Sequence, residues 1–387
     1  MSEPVVTSSS GLELVEPAGG YRVLARKYRP QTFDQLIGQD AMVRTLSNAF
    51  ETSRIPQAWI LTGVRGVGKM TTARILARAL NYELPDGSVA GPTVKMPALG
   101  VHCQAIMESR HLDVIEMDAA SHNSVDDVRQ INDAIRYAPV SARYKVYILD
   151  EVHMLSGAAF NALLKTLEEP PDHAIFVLAT TEIDKVPPTI KSRCLPFEFR
   201  LFSMIEVADR LQKIADAEGL QIERAALEIV ARNGRGSMRD SVSLLDQIVS
   251  DPEEIVTVEL VQRILGTASI GAVKDLVAAI INQDTAGGLH VINQALDAGS
   301  DPRQFAEQIV EHLRAILLTQ TASVDLVEAS DEDRAMYQEQ AEYIERGRLL
   351  KTIRAFNEAV NQGRSGWQPQ LGLELALLES LKEEEPV

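Results

Sequence analysis

The residues best suited to chemistry lie between Ile60 and Asn81, in ILTGVRGVGKMTTARILARALN. A short apolar strand, Trp59 to Leu61, runs into Gly63-Val64-Arg65-Gly66-Val67-Gly68-Lys69, and an amphipathic helix follows. The spacing G-x-x-x-x-G-K is that of a phosphate-binding loop. Glycines let the backbone fold so tightly that successive N–H groups converge on an anion. The helix N-terminus adds partial positive charge, and the Lys69 ammonium can reach the terminal phosphates. In that motif the next residue is Ser or Thr, whose hydroxyl binds Mg²⁺. Here it is Met70, followed by Thr71. A thioether is a poor partner for a hard cation, and Thr71 lies about 100° further round the helix.

A second group of candidates sits at the ends of two later strands. Lys145-Val146-Tyr147-Ile148-Leu149 runs into Asp150-Glu151. Adjacent carboxylates at such a point suit ATP hydrolysis: the first holds Mg²⁺, usually through water, and the second polarises the attacking water. Ile175 to Leu178 ends at Thr180-Thr181, where a hydroxyl can orient that water. In open parallel sheets ligands gather at the carboxyl ends of strands. Arg193, in Ser192-Arg193-Cys194, comes after Pro187 and Pro188, in a helix expected over 189–194. An arginine at a domain edge can reach into a neighbouring subunit and stabilise transition-state charge. Arg239, in GSMRDSVSLLDQ, can approach the phosphates of its own chain or pair with Asp240 or Asp246.

Strands alternating with helices must position these groups, which implies an α/β domain with a parallel sheet. Asp40 is expected to cap a helix carrying Val43, Leu46 and Phe50. Residues 82–111 read as an insertion, rich in Gly and Pro at first and helical later. After Phe197-Glu198-Phe199 the pattern turns helical: Ile205 to Glu218, Ala225 to Asn233 and Ser237 to Val249 form a small three-helix unit. A linker at 250–254 leads to further amphipathic helices from Val258 to Leu381. The expected division is a disordered tail over 1–20, an ATPase domain over 21–199, a helical lid over 200–254 and an all-α collar over 255–387.

The 387-residue chain carries a net charge of −17, which argues against generic coating of nucleic acid. Local DNA contact through Arg136, Arg143 or Lys145 stays compatible with it. Two cysteines, Cys103 and Cys194, make no disulfide framework and fit a reducing cytoplasm. No apolar run is long enough for a membrane span, and the first twenty residues lack the pattern of a signal peptide.

Together these stretches resemble the AAA+ clamp-loader ATPases of bacterial replication, the gamma/tau subunits of DNA polymerase III. The resemblance rests on LARKYRPQTFDQLIGQ, GVRGVGKMTTARILARALN, DVIEMDAASHNSVDDVR, VYILDEVHMLSGAAFNALLKTLEEPP, FVLATTEIDKVPPTIKSRCLPFEF and GSMRDSVSLLDQ. It extends through PQLGLELALLES, and so covers about residues 20–382.

It implies a P-loop ATPase domain, a helical lid and a collar that joins other gamma/tau copies with the delta and delta-prime subunits. It also implies ATP and Mg²⁺ as ligands, a sliding clamp as cargo, primer-template DNA as trigger, and a cytoplasmic setting. By motif position, Lys69 is the phosphate lysine, Asp150 the Mg²⁺-associated acid and Glu151 the catalytic base. Thr181 becomes the first sensor, Arg193 the finger acting in trans and Arg239 the second sensor. The stretch from Tyr28 to Gln39, with Ile37, flanks the adenine, and Gly63, Arg65, Gly66, Val67, Gly68, Met70 and Thr71 complete the nucleotide contacts.

The chain departs from the family pattern twice. The family usually has Thr where Met70 stands, so Mg²⁺ placement and hydrolysis are expected to suffer while binding persists. The family's four-cysteine zinc module aligns with Tyr82, Pro97, Gly100 and Cys103, of which only Cys103 is a thiol, so no zinc is expected. Two other readings stay open: a non-hydrolysing structural subunit of the same ring, and another AAA+ DNA-processing machine such as a branch-migration helicase. The chain stops soon after the collar, as expected of a short form or a truncated one.

Overall fold

The computed structural model describes residues 23–89, 91–249, 255–266, 270–322, 327, 329, 331–362 and 370–382. The tail expected over 1–20, the linker at 250–254 and the end beyond 382 lie outside the described residues. The first part is built on five parallel strands: β1 (Ala58–Thr62), β2 (Val114–Asp118), β3 (Lys145–Asp150), β4 (Ala174–Thr180) and β5 (Leu195–Glu198). Their order is β2-β3-β4-β1-β5. Near-continuous apolar runs make these strands, because both faces are covered by helices and every residue of β4 is buried. The order places the turns after β1, β3 and β4 side by side at the carboxyl edge of the sheet. Asp118 of β2 pairs in register with Asp150 of β3, and Thr62 of β1 with Thr180 of β4.

The helices of this part are α1 (Leu24–Lys27), α2 (Asp40–Glu51), α3 (Lys69–Leu80), α4 (Cys103–Met107), α5 (Val125–Ala134), α6 (Gly157–Glu168) and α7 (Pro188–Lys191). Alternation along the strands separates two cores. Trp59, Leu61, Ile148 and Val177 face α2 and α3, while Ile60, Tyr147, Phe176 and Leu178 face α5 and α6. Tyr147 and Phe176 stack with centroids 5.4 Å apart. Phe176 is fully buried, so Phe176→Ala would cost about 3–5 kcal/mol. Three local expectations need correction. Asp40 is the first residue of α2 and Gln39 its N-cap. The helix expected over 189–194 ends at Lys191. Among its described residues the insertion is helical only over the short α4, in its later half, with turns and extended chain elsewhere.

Three helices follow: α8 (Met204–Glu218), α9 (Arg224–Asn233) and α10 (Met238–Ile248). Ser203 and Glu206 form a capping box at the start of α8, and Gly219 ends it in the left-handed conformation. The core of this unit takes in residues from both sides of the sequence. Leu24 and Tyr28 pack into it from α1 and the residue after it, and Val256 and Val261 from the segment carrying α11 (Val258–Leu265). A separate core holds the remaining helices: α12 (Ile270–Ile281), α13 (Thr285–Asp297), α14 (Pro302–Thr321), α15 (Asp331–Tyr343), α16 (Arg346–Gln362) and α17 (Leu371–Leu381). Phe305, Leu313, Leu349 and Phe356 are fully buried there. Among the described residues no helix is long and apolar enough to cross a membrane.

Candidate nucleotide-binding site

The loop between β1 and α3 needs its glycines. Gly63, Gly66 and Gly68 have φ of +139°, +83° and +102°, a region that costs other L-residues about 1–2 kcal/mol each. The turn they build brings the first turn of α3 to the floor of a cavity of about 850 Å³. Lys69 is buried, and its ammonium donates to the carbonyls of Gly63 (2.6 Å) and Val64 (2.9 Å). Burial pushes the Lys69 ammonium below its ordinary value, against the pull of Glu151 and Asp150. A buried cation hydrogen-bonded to loop carbonyls and facing open volume is suited to a phosphate. Met70, Thr71 and Thr72 all border the cavity. Met70 also packs against the sheet core.

Across the cavity stand the carboxylates. Asp150 ends β3, and burial raises its carboxyl above the usual range. Glu151 and Asp118 add to that rise, while the Glu151 N–H, donating at 2.9 Å, and Lys69 oppose it. Glu151 takes left-handed backbone, φ +45° and ψ +46°, which no turn glycine excuses. Its Oε2 accepts from the Thr181 N–H (3.1 Å) and from Thr181 Oγ1 (2.9 Å). The strand ends thus bring Glu151 and Thr181 together, though Thr181 itself does not border the cavity.

The opposite wall comes from Tyr28, Ile37 and neighbouring residues of the same N-terminal stretch. Arg29, Arg74 and Arg239 converge there. Arg74 makes a two-pronged pair with Glu116, both contacts at 2.7 Å. Burial first, then the charges of Arg74 and Arg239, lowers the Arg29 guanidinium from its ordinary value. Excess positive charge lining a cavity favours an anionic ligand. Arg239 reaches this wall from α10, whose start lies on the phosphate loop: the Arg239 N–H donates to the Gly66 carbonyl at 3.4 Å.

Arg65, Gly66, Val67 and Gly68 border the cavity as well; Gly63 does not and serves instead as an acceptor for Lys69. Arg193 lies outside it, donating to Glu168 at 2.6 Å and to the Thr189 carbonyl at 2.7 Å. Lys145, a candidate for DNA, donates to the Ala134 carbonyl at 2.9 Å and so braces α5. Sequence reasoning missed Asp118, Arg74 and Glu116, and placed Arg29 only within the stretch expected to flank the adenine. A carboxylate at the end of VIEMD was the signal for Asp118, but only the strand order makes it a neighbour of Asp150.

The cavity, the converging glycine turn and the buried lysine fit a nucleoside triphosphate. For Mg²⁺, Asp150 and Asp118 supply carboxylate oxygens, and position 70 supplies none. The zinc alignment fits poorly. Tyr82 is buried with its hydroxyl bonded to the Ala98 carbonyl at 2.8 Å, and Cys103 is the only thiol beside it. His102 and His111 meet each other at 2.9 Å.

Comparison with known proteins matches the parts in order. The family model of the DNA polymerase III delta subunit matches residues 38–203, that of the DNA polymerase III clamp loader subunit ATPase lid domain 206–251, and that of domain III of subunits gamma and tau 256–383. The DNA polymerase III subunit gamma of Buchnera aphidicola subsp. Schizaphis graminum is 39% identical over 77% of this chain and 80% of its own length. This chain belongs to the DNA polymerase III gamma/tau family. The subunit tau of Bacillus subtilis is 39% identical over 92% of this chain, and the match covers 63% of that longer protein. This gamma/tau chain thus spans about half to three fifths of the length of the tau relatives it matches. A Thermotoga maritima RuvB Holliday junction branch migration motor overlaps at 20% identity and TM-score 0.46, over 66% of this chain and 79% of that one.

Proposed function

We propose that this chain is an ATP-driven motor subunit of a clamp loader that places a sliding clamp on primed DNA. One observation carries the reading: Lys69 and the Asp150–Glu151 pair line one cavity at the sheet's edge, bordered by α10. Lys69 and the loop amides hold the phosphates. Asp150, with Asp118 beside it, would hold Mg²⁺, which would supply charge neutralisation on the phosphate oxygens. Glu151 takes a proton from the attacking water, and Thr181 orients Glu151. Arg239 senses the nucleotide in its own chain. Arg193, lying away from its own cavity, serves the site of the next subunit. Tyr28 and Ile37 hold the base. The separate cores support a lid and a collar as two helical units, but α11 packs in the lid core, so the boundary between them falls after Leu265 rather than at the expected 254.

The partners in this reading are delta, delta-prime, other gamma/tau copies, the clamp and primer-template DNA, in the cytoplasm. The insertion carries no zinc, because Tyr82 fills the place of a ligand. Met70 favours a second reading, a subunit that binds nucleotide without hydrolysing it.

Steady-state ATP hydrolysis by the assembled ring, with and without clamp and primed DNA, tests both. A motor shows turnover stimulated by clamp and DNA, raised further by Met70→Thr. Nucleotide binding with no turnover in the Met70 chain supports the second reading. Equal turnover of the two chains removes Met70 from the account.

A further inference from the structure

His153 has no part in the assignments above, yet it sits where the ends of β3 and β4 meet. Its side chain is only 5% exposed. Nδ1 faces Glu151 Oε2 at 3.3 Å and Thr180 Oγ1 at 3.0 Å; Nε2 faces Glu182 Oε1 at 3.3 Å. Thr180 Oγ1 also accepts from the Glu182 N–H at 3.0 Å. The ring therefore bridges the residue after β3 to the last residue of β4 and the loop beyond.

The two carboxylate oxygens of Glu151 are treated unequally. Oε2 accepts hydrogen bonds from the Thr181 N–H and hydroxyl and has His153 Nδ1 at 3.3 Å, while Nδ1 also keeps its hydrogen bond with Thr180 Oγ1. Among the described residues no hydrogen bond reaches Oε1. A carboxylate oxygen already surrounded by donors has little lone-pair density left for a proton, whereas its partner keeps its own. The Thr181 donors and His153 Nδ1 converge on the same oxygen, which restrains rotation of the carboxylate about its last bond.

We propose that His153 is a positioning residue which, with Thr181, anchors Oε2 of Glu151 and so leaves Oε1 as the oxygen that accepts the proton from water. The inference rests on the reading of Glu151 as the base. A carboxylate only accepts, so the Glu151 contact requires a proton on Nδ1, shared with the Thr180 hydroxyl oxygen, and a proton on Nε2 serves Glu182. The anchoring contact is the one through Nδ1. An asparagine amide nitrogen falls near the place of Nδ1, and a glutamine nitrogen near that of Nε2.

The test is kcat and KM for ATP in the assembled ring, with Tm and nucleotide affinity of each chain, for His153→Ala, His153→Asn, His153→Gln and Glu151→Gln. Each is made with Met70 and with Met70→Thr, so that turnover is not limited by position 70. The expected result is a fall in kcat of about 10- to 100-fold for His153→Ala and His153→Gln, with KM, affinity and Tm unchanged. His153→Asn should recover most of that loss. A His153→Ala ring at full kcat, beside an inactive Glu151→Gln ring, overturns the role of His153 alone. So does a glutamine variant as active as the asparagine one, or a loss of kcat that travels with lower affinity and Tm. Full turnover by Glu151→Gln, or none in any chain, overturns the base assignment and this proposal with it.

Discussion

The Ser237 hydroxyl occupies the space that a side chain on Gly66 would need. Gly66 is therefore required twice, for its left-handed φ and for the close approach of α10 to the phosphate loop. Gly66→Ala should lower stability by about 1–2 kcal/mol from backbone strain alone, and weaken nucleotide binding further by displacing α10. Adding Ser237→Gly should restore the part due to the clash and leave the part due to φ. A double-mutant cycle in Tm and nucleotide affinity measures this coupling. Simple additivity would place the lid elsewhere.

Asp113 is fully buried and receives the N–H groups of Val140, Ser141 and Ala142 at 2.7, 2.8 and 2.9 Å. Burial alone would raise its carboxyl; these donors outweigh burial and hold it below the usual range. Asp113→Ala should cost about 3 kcal/mol by leaving those donors without an acceptor. A lowered folded value means the stabilisation is present above the unfolded value of 3.8 and fades as pH falls below it. Denaturant unfolding of both chains at pH 7 and pH 3 should show the difference shrinking in acid.

The insertion should be indifferent to chelators. Tyr82 places its ring beside Gly100 and Cys103, and its hydroxyl both donates to the Ala98 carbonyl and accepts the Ala98 N–H. Tyr82→Phe should lower stability by about 1–2 kcal/mol, while EDTA should leave the Tm of the unmodified chain unchanged. About one equivalent of zinc in the purified protein, or a fall in Tm with EDTA, would contradict this.

The fold's local features were legible because they are local. The turn glycines announce Lys69, the apolar run of VYILD announces Asp150, and GSMRD announces a capped helix start. The rest depended on long-range pairing. Asp118 becomes a neighbour of Asp150 only through the β2–β3 register, and His153 meets Glu182 only because β3 and β4 are adjacent. That α11 packs with the lid was hidden because its stripe, Val258, Val261 and Leu265, fits either neighbouring unit by pattern. Asp40 misled because Gln39 takes the capping backbone position one residue earlier.

The most direct test of the central claim is equilibrium binding of ATP to the full chain and to Lys69→Ala, followed by calorimetry. The account predicts one nucleotide per chain for the unmodified protein and no measurable binding by Lys69→Ala, with the variant still folded. Equal binding by both chains would place the nucleotide elsewhere and contradict it.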